Sequence, residues 1–200
     1  MKRIIAFLLI FALCIPFLAS CEKETEKVYT AEIEIENYGT IKLELDAKTA
    51  PITVENFVKL ARDGFYDGLT FHRIISGFMM QGGDPKGNGT GGSENKITGE
   101  FKANGHENNI SHKRGVVSMA RRGDSFNSAS SQFFIMHKDY PGLDGQYAAF
   151  GWVTEGMDVV DKVCADAKPI DDNGTIPKEN QPVIKRITIN EIEKEISDAE

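Results

Sequence analysis

Cysteine is scarce in this chain of 200 residues: Cys14, Cys21 and Cys164 are all it has. Two of them belong to the N-terminal apolar segment, so one thiol remains in the body and no intrachain disulfide forms there. Cys164 lies in "MDVVDKVCAD", an amphipathic helical pattern, and reads as a small buried residue rather than a nucleophile. The four histidines, His72, His106, His112 and His137, have no metal-ligand spacing and no companion cysteines. Each reads as a surface or strand residue, and neither a metal nor a cofactor is expected. A basic excess is lacking too: 23 Lys and Arg against 30 Asp and Glu give a formal charge of −7, which disfavours nucleic acid as a partner. "GNGTGG", Gly87 to Gly92, spells G-x-G-x-x-G, but "GGDPK" before it is no strand lead-in and "SENKITGEF" after it is no helix. That stretch reads as a tight loop. The serines of "DSFNSASSQ" have no nucleophile elbow, and the RGD tripeptide at Arg122 to Asp124 reads as a turn.

What is present begins at the N-terminus. "MKR" leads into a run of 16 apolar residues, Ile4 to Ala19, a signal-peptide length that is short for a membrane span. It ends in Leu18-Ala19-Ser20-Cys21, which resembles a bacterial lipobox, with Cys21 as the lipid attachment site; an ordinary secretory signal or an uncleaved anchor is the alternative. The expected organisation is a lipoprotein signal peptide over 1–20, a lipid-anchored tether over 21–28, one barrel domain over 29–193 and a tail over 194–200. The expected location is extracytoplasmic, on a bacterial cell membrane, and nothing in the sequence demands more than a monomer.

"AEIEIENYGTIKLELD" alternates Ile33 and Ile35 with glutamates, turns at "NYG", and alternates again through Ile41, Leu43 and Leu45, predicting a hairpin with one dry face. A helix follows from Pro51 to Gly64, with Val54, Phe57, Val58 and Ala61 on its inner stripe and Thr49 as a cap candidate. Further strands are expected in "LTFHRII", "GFMMQG", "GVVSMA", "SQFFIM", "YAAFGWV" and "PVIKRITINEIE", and a second helix over Met157 to Ala165. In the last strand Val183, Ile187 and Ile189 share a face, and it is expected to pair with the acidic first strand. Many short strands and two helices predict an all-β-dominated fold, a closed antiparallel barrel with helices over its openings.

The chemistry-bearing stretch is "FHRIISGFMMQGGDP", where a period of two places Arg73 on one face with Phe71 and Ile75. A guanidinium there is edge-exposed, ion-paired with one of many acids, or kept for work. One arginine, one glutamine and several large apolar residues suit a reaction that makes no bond. Rotation about an X–Pro amide is such a reaction, opposed by a barrier of about 18–20 kcal/mol. Beside an apolar pocket, an always-charged donor favours the twisted amide, whose nitrogen gains a lone pair, over the planar one.

"FHRIISGFMMQGGD", "GTGG", "SMA", "SASSQFFI" and "LDGQYAAFG", in this order and spacing, resemble the signature blocks of the cyclophilin family over most of Tyr29 to Glu193. The resemblance implies an eight-stranded antiparallel barrel capped by two helices, and peptidyl-prolyl cis–trans isomerase activity without a cofactor. It implies Arg73 as the catalytic arginine, with Phe78, Met79, Phe134 and Leu143 as the proline pocket. Gln81 matches the glutamine that bonds substrate backbone and helps hold the arginine. Ala120, Arg121 and Gln132 match a substrate-facing strip, with Arg121 acting through its main chain, so that its side chain matters less. Phe78, Phe134 and Leu143 read on their own as pocket or as plain core.

Three positions depart from the family pattern. Gly142 stands where many members carry a tryptophan at the pocket rim, which implies weak binding of cyclosporin. Tyr147 stands where many have histidine, and still covers the pocket with an aromatic face; Ser76 replaces a common proline. The implied partners are proline-containing peptides and unfolded or secreted proteins, with membrane contact through the anchor. A non-catalytic proline-binding module and an adhesive or structural lipoprotein are the competing readings.

Overall fold

The structure is a computed structural model that describes residues Thr25 to Glu195. Cys21, the leader and most of the tail lie outside the described residues. The elements are β1 (Thr25–Ile35), β2 (Gly39–Leu45), α1 (Pro51–Arg62), β3 (Thr70–Ile75), β4 (Met79–Asp84), β5 (Val116–Met119), β6 (Phe133–Met136), β7 (Ala149–Glu155), α2 (Met157–Asp166) and β8 (Ile184–Glu195). Both β1 and β8 run past the expected domain limits of 29 and 193, pairing Thr25 with Glu195.

All eight strands form one antiparallel sheet in the order β3-β4-β6-β5-β7-β2-β1-β8. The sheet curls until its two outer strands meet, with Thr70 bridging Val183. There Ile184 N–H donates to Leu69 O (2.7 Å) and Phe71 N–H to Pro182 O (2.9 Å). Closure removes the free edges of an open sheet at this end.

The hairpin follows its alternation: Ala31, Ile33, Ile35, Ile41, Leu43 and Leu45 are buried, and Asn37 takes the left-handed conformation that the turn needs. As expected, β8 pairs with β1. Its inner face differs from the expected one, because the register shifts between Glu34 and Ile35. That bulge buries Ile184 with Ile187, leaves Val183 and Ile189 half-buried, and exposes Lys185 and Arg186 together. Both basic groups reach Glu34, at 2.7 and 3.0 Å.

Helix α1 buries the expected stripe of Val54, Phe57, Val58 and Ala61. The Phe57 ring packs against Tyr66, Phe133 and Phe150 at 5.2–5.5 Å between centroids. Thr49 does not cap it; its hydroxyl donates to Asp46 instead (2.6 Å). The cap comes from Glu100, far along the chain, whose carboxylate accepts Ile52 N–H (3.0 Å), Thr53 N–H (2.8 Å) and the Thr53 hydroxyl (2.7 Å). These bonds satisfy helix N–H groups that have no partner within the helix. In α2, Val159, Val160, Val163 and Cys164 face inward, and burial pushes the Cys164 thiol up to about 12, so it is an inert packing residue.

Candidate active site

Strand β3 breaks its own alternation. Phe71 pairs with Gly82 and Arg73 with Gln81, so His72 is an extra residue between two ladder pairs. The bulge turns Phe71 and Ile74 into the main core and leaves Arg73 half-buried on the other surface, away from Phe71. The phenylalanine and the guanidinium therefore do not share a face. Gly82 permits this packing, since a Cβ there would lie 2.8 Å from both the Phe71 ring and Thr70 O.

Arg73 has no carboxylate within ion-pair distance among the described residues. Its Nε–H donates to Asn173 O (2.8 Å), and Nη1 donates to Gln81 Oε1 (3.2 Å). Gln81 Nε2 in turn donates to Gln132 Oε1 (2.8 Å), and Gln132 Nε2 to Gly91 O (2.7 Å) and Gly89 O (3.2 Å). This relay fixes both amide orientations and aims the guanidinium from two sides. Burial pulls the Arg73 pKa below its ordinary value, against the opposing pull of Tyr147 and Asp171.

Beside Arg73 lies a cup of about 140 Å³, lined by Phe78, Met79, Gln81, Ala120, Arg121, Phe134, Leu143 and Tyr147. The two halves of "GFMMQG" and "SQFFI" meet here through pairing of β4 with β6, Met79 opposite Met136 and Gln81 opposite Phe134. Phe134 meets Tyr147 edge-on, with centroids 5.8 Å apart. Phe78, Met79, Phe134 and Leu143 thus form a second apolar cluster, separate from the main core, rather than part of it. A wider cavity of about 470 Å³ adjoins the cup and shares Gln81, Ala120 and Arg121 with it, with Gln132 on its wall. Every residue of the body that the resemblance implies as catalytic or substrate-binding lines one of these two spaces, whereas Gly142 and Ser76 line neither.

Comparison with known proteins decides what this cup belongs to. Residues 30–194 match the family described as cyclophilin type peptidyl-prolyl cis-trans isomerase/CLD. The chain belongs to the cyclophilin family. It is 48% identical over 144 residues to a peptidyl-prolyl cis-trans isomerase of Helicobacter pylori, covering 70% of this chain and 85% of that one. It is 48% identical over 124 residues to peptidyl-prolyl cis-trans isomerase B of Bacillus subtilis, covering 62% and 82% of the two chains. A crystal structure of a Cryptosporidium parvum cyclophilin in the presence of the dipeptide Ala-Pro superposes with a TM-score of 0.71 at 31% identity, over 80% of this chain and 98% of that one. Peptidyl-prolyl cis–trans isomerisation is therefore the activity of this cyclophilin, on proline-containing peptides.

Four features of the cyclophilin site differ from expectation or were missed. The Arg121 side chain is caged rather than idle: its Cζ lies 5.2 Å from the Phe101 ring centroid, 5.0 Å from Phe126 and 4.8 Å from Tyr147. Its Nε donates to Gln146 O (3.0 Å) and Nη1 to Arg122 O (2.9 Å), and these bonds hold the guanidinium within that cage. His112 is no surface residue; it is buried under Phe134, with Nδ1 bonded to Asp144 Oδ1 (2.9 Å) and Nε2 to Ser118 Oγ (3.1 Å). Burial lowers its pKa, partly offset by Asp144. His72 is buried as well, with neither ring nitrogen hydrogen-bonded to a described residue. The glycine loop winds about the Asp84 carboxylate, which accepts Lys86 N–H (2.8 Å), Asn88 N–H (3.1 Å) and Gly89 N–H (2.6 Å). Burial pushes Asp84 up, but these backbone donors hold it below the usual carboxylate range. No spacing rule in the sequence pointed to Ser118 or Asp144, and His112, set between Ser111 and Lys113, carries no apolar neighbour to mark it as buried.

Proposed function

We propose that this cyclophilin accelerates X–Pro rotation through Arg73, acting on extracytoplasmic proteins from a lipid-anchored position. The observation that carries the catalytic part is a guanidinium aimed by Gln81 and Asn173 at the lip of an apolar cup, with no carboxylate among the described residues to occupy it. In this reading the proline ring sits among Phe78, Met79, Phe134 and Leu143, and the preceding amide faces Arg73. As the C–N bond twists, resonance is lost and the nitrogen accepts a hydrogen bond. A remaining N–H of Arg73 donates to it more strongly in the twisted state than in the planar one, which is what lowers a barrier. Gln81 and Gln132, with Ala120 and the Arg121 main chain beside them, receive the substrate backbone. No proton leaves any group. The Ala-Pro dipeptide in the Cryptosporidium relative's crystal is in keeping with a cup of this kind.

A charge-assisted hydrogen bond worth about 1.5–3 kcal/mol corresponds to about 10²-fold in rate at about 1.4 kcal/mol per tenfold. Arg73→Ala is therefore expected to lose about 10²-fold in a protease-coupled assay on an Ala-Pro tetrapeptide. An unchanged rate removes Arg73 from the mechanism. The anchored location rests on "MKR", the apolar run and the Leu18 to Cys21 tetrad. Mass analysis of the mature N-terminus tests it: diacylglyceryl and acyl additions on Cys21 are expected, and a free thiol there defeats the anchor.

A further inference from the structure

One large aromatic touches the cup wall from outside. Tyr140 is 50% exposed, and its ring lies 4.8 Å from that of Phe78 at 58°. Its backbone is fixed at both groups: the N–H donates to His112 O (2.8 Å), and the carbonyl accepts Leu143 N–H (3.2 Å). Pro141 then opens the short 3-10 turn Pro141–Leu143, which delivers Leu143 to the cup. Gly142 at the centre of that turn gives the ring its room. A Cβ there would stand 3.0 Å from Tyr140 Cε1 and 3.5 Å from Cδ1, tighter than ordinary contact, so a larger residue would push the ring away.

A ring held at the backbone, packed at a tilt against Phe78 on one side and open to solvent on the other, presents an apolar face with little freedom left to lose on contact. Its place sets what it meets. Gln81, Ala120 and Arg121 border the wider cavity, whereas Phe78 and Leu143 line the cup alone. With the amide before the proline facing Arg73 and Gln81, the preceding residues run toward the wider cavity. The following residue leaves over Phe78 and Tyr140.

We infer that Tyr140 is a specificity-determining residue that receives the side chain of the residue following the proline and favours an aromatic or large apolar one there. This inference rests on the proline-cup reading above.

Exchange NMR on Ala-Pro-Y peptides, with Y as Phe, Ala or Lys, tests it on the wild type and on Tyr140→Ala, Tyr140→Phe and Arg73→Ala. The wild type is expected to prefer Phe over Ala by about five- to tenfold in kcat/KM, through KM. Tyr140→Ala should lose that preference and keep its rate on the Ala peptide within about twofold; Tyr140→Phe should retain the preference. No preference in the wild type, a preference that survives Tyr140→Ala, or an equal loss on every peptide overturns the inference. An Arg73→Ala variant with full rate overturns the catalytic reading instead, and is told apart because the preference for Y is read separately.

Discussion

Gln81→Glu tests whether Arg73 works as an unclaimed donor. The substitution keeps the size of the side chain and puts a carboxylate where Oε1 now sits 3.2 Å from Nη1. Two opposite unit charges about 4 Å apart attract by about 4 kcal/mol at an effective dielectric of about 20. An open surface pair retains only about 0–1 kcal/mol, and Arg73 is half-buried at the lip of an open cup, so about 1–3 kcal/mol is the expected range. That pairing competes with the twisted amide for the guanidinium. The new group also cannot donate to Gln132 Oε1, now 2.8 Å from Gln81 Nε2, so the relay to Gly91 must rearrange. At about 1.4 kcal/mol per tenfold, kcat/KM should fall by about 5- to 140-fold. A Debye length of about 3 Å at 1 M salt means that part of the loss should be recovered there. The assay is protease-coupled turnover at low and high salt, with Gln81→Met as a neutral control. A Gln81→Glu enzyme at the wild-type rate in low salt would refute the account of Arg73.

Arg121→Ala should raise KM about three- to tenfold while kcat stays within about twofold, because Tyr147 loses the cation that braces it. Arg121→Lys should restore part of it, and steady-state kinetics on one peptide decides. Glu100→Ala strands two α1 N–H groups and the Thr53 hydroxyl, all accepted by its carboxylate, and should cost about 2–4 kcal/mol in urea titration, with kcat/KM in the cold nearly unchanged. Burial lowers the pKa of both His72 and His112, so below the ordinary histidine value of about 6.5 the unfolded chain takes up protons that the folded chain refuses. Stability should therefore be full above that value and fall as pH drops toward the folded pKa values. His72→Phe should flatten part of that slope between pH 7 and 5, and a midpoint that does not move with pH would sink the assignment.

The sequence alone determined what backbone periodicity sets. Alternation in Ile33 to Leu45 produced the hairpin, and the 3.6-residue stripe through Val54 to Ala61 produced α1 with its inner face, because a dry face forces both patterns wherever the chain lies. The blocks around Arg73, Phe78 and Gln81 were equally legible, as residue types in fixed order. Tertiary structure decided what depends on register and on distant chain. The extra residue at His72 determines which way Arg73 points, and the shift opposite Glu34 determines which β8 residues are buried. A bulge moves side chains across the sheet without changing the composition of the strand. The α1 cap from Glu100, the aromatic cage of Arg121 and the ring of Tyr140 on Phe78 arise only once the curled sheet brings separated loops together. No spacing along the chain encodes those meetings.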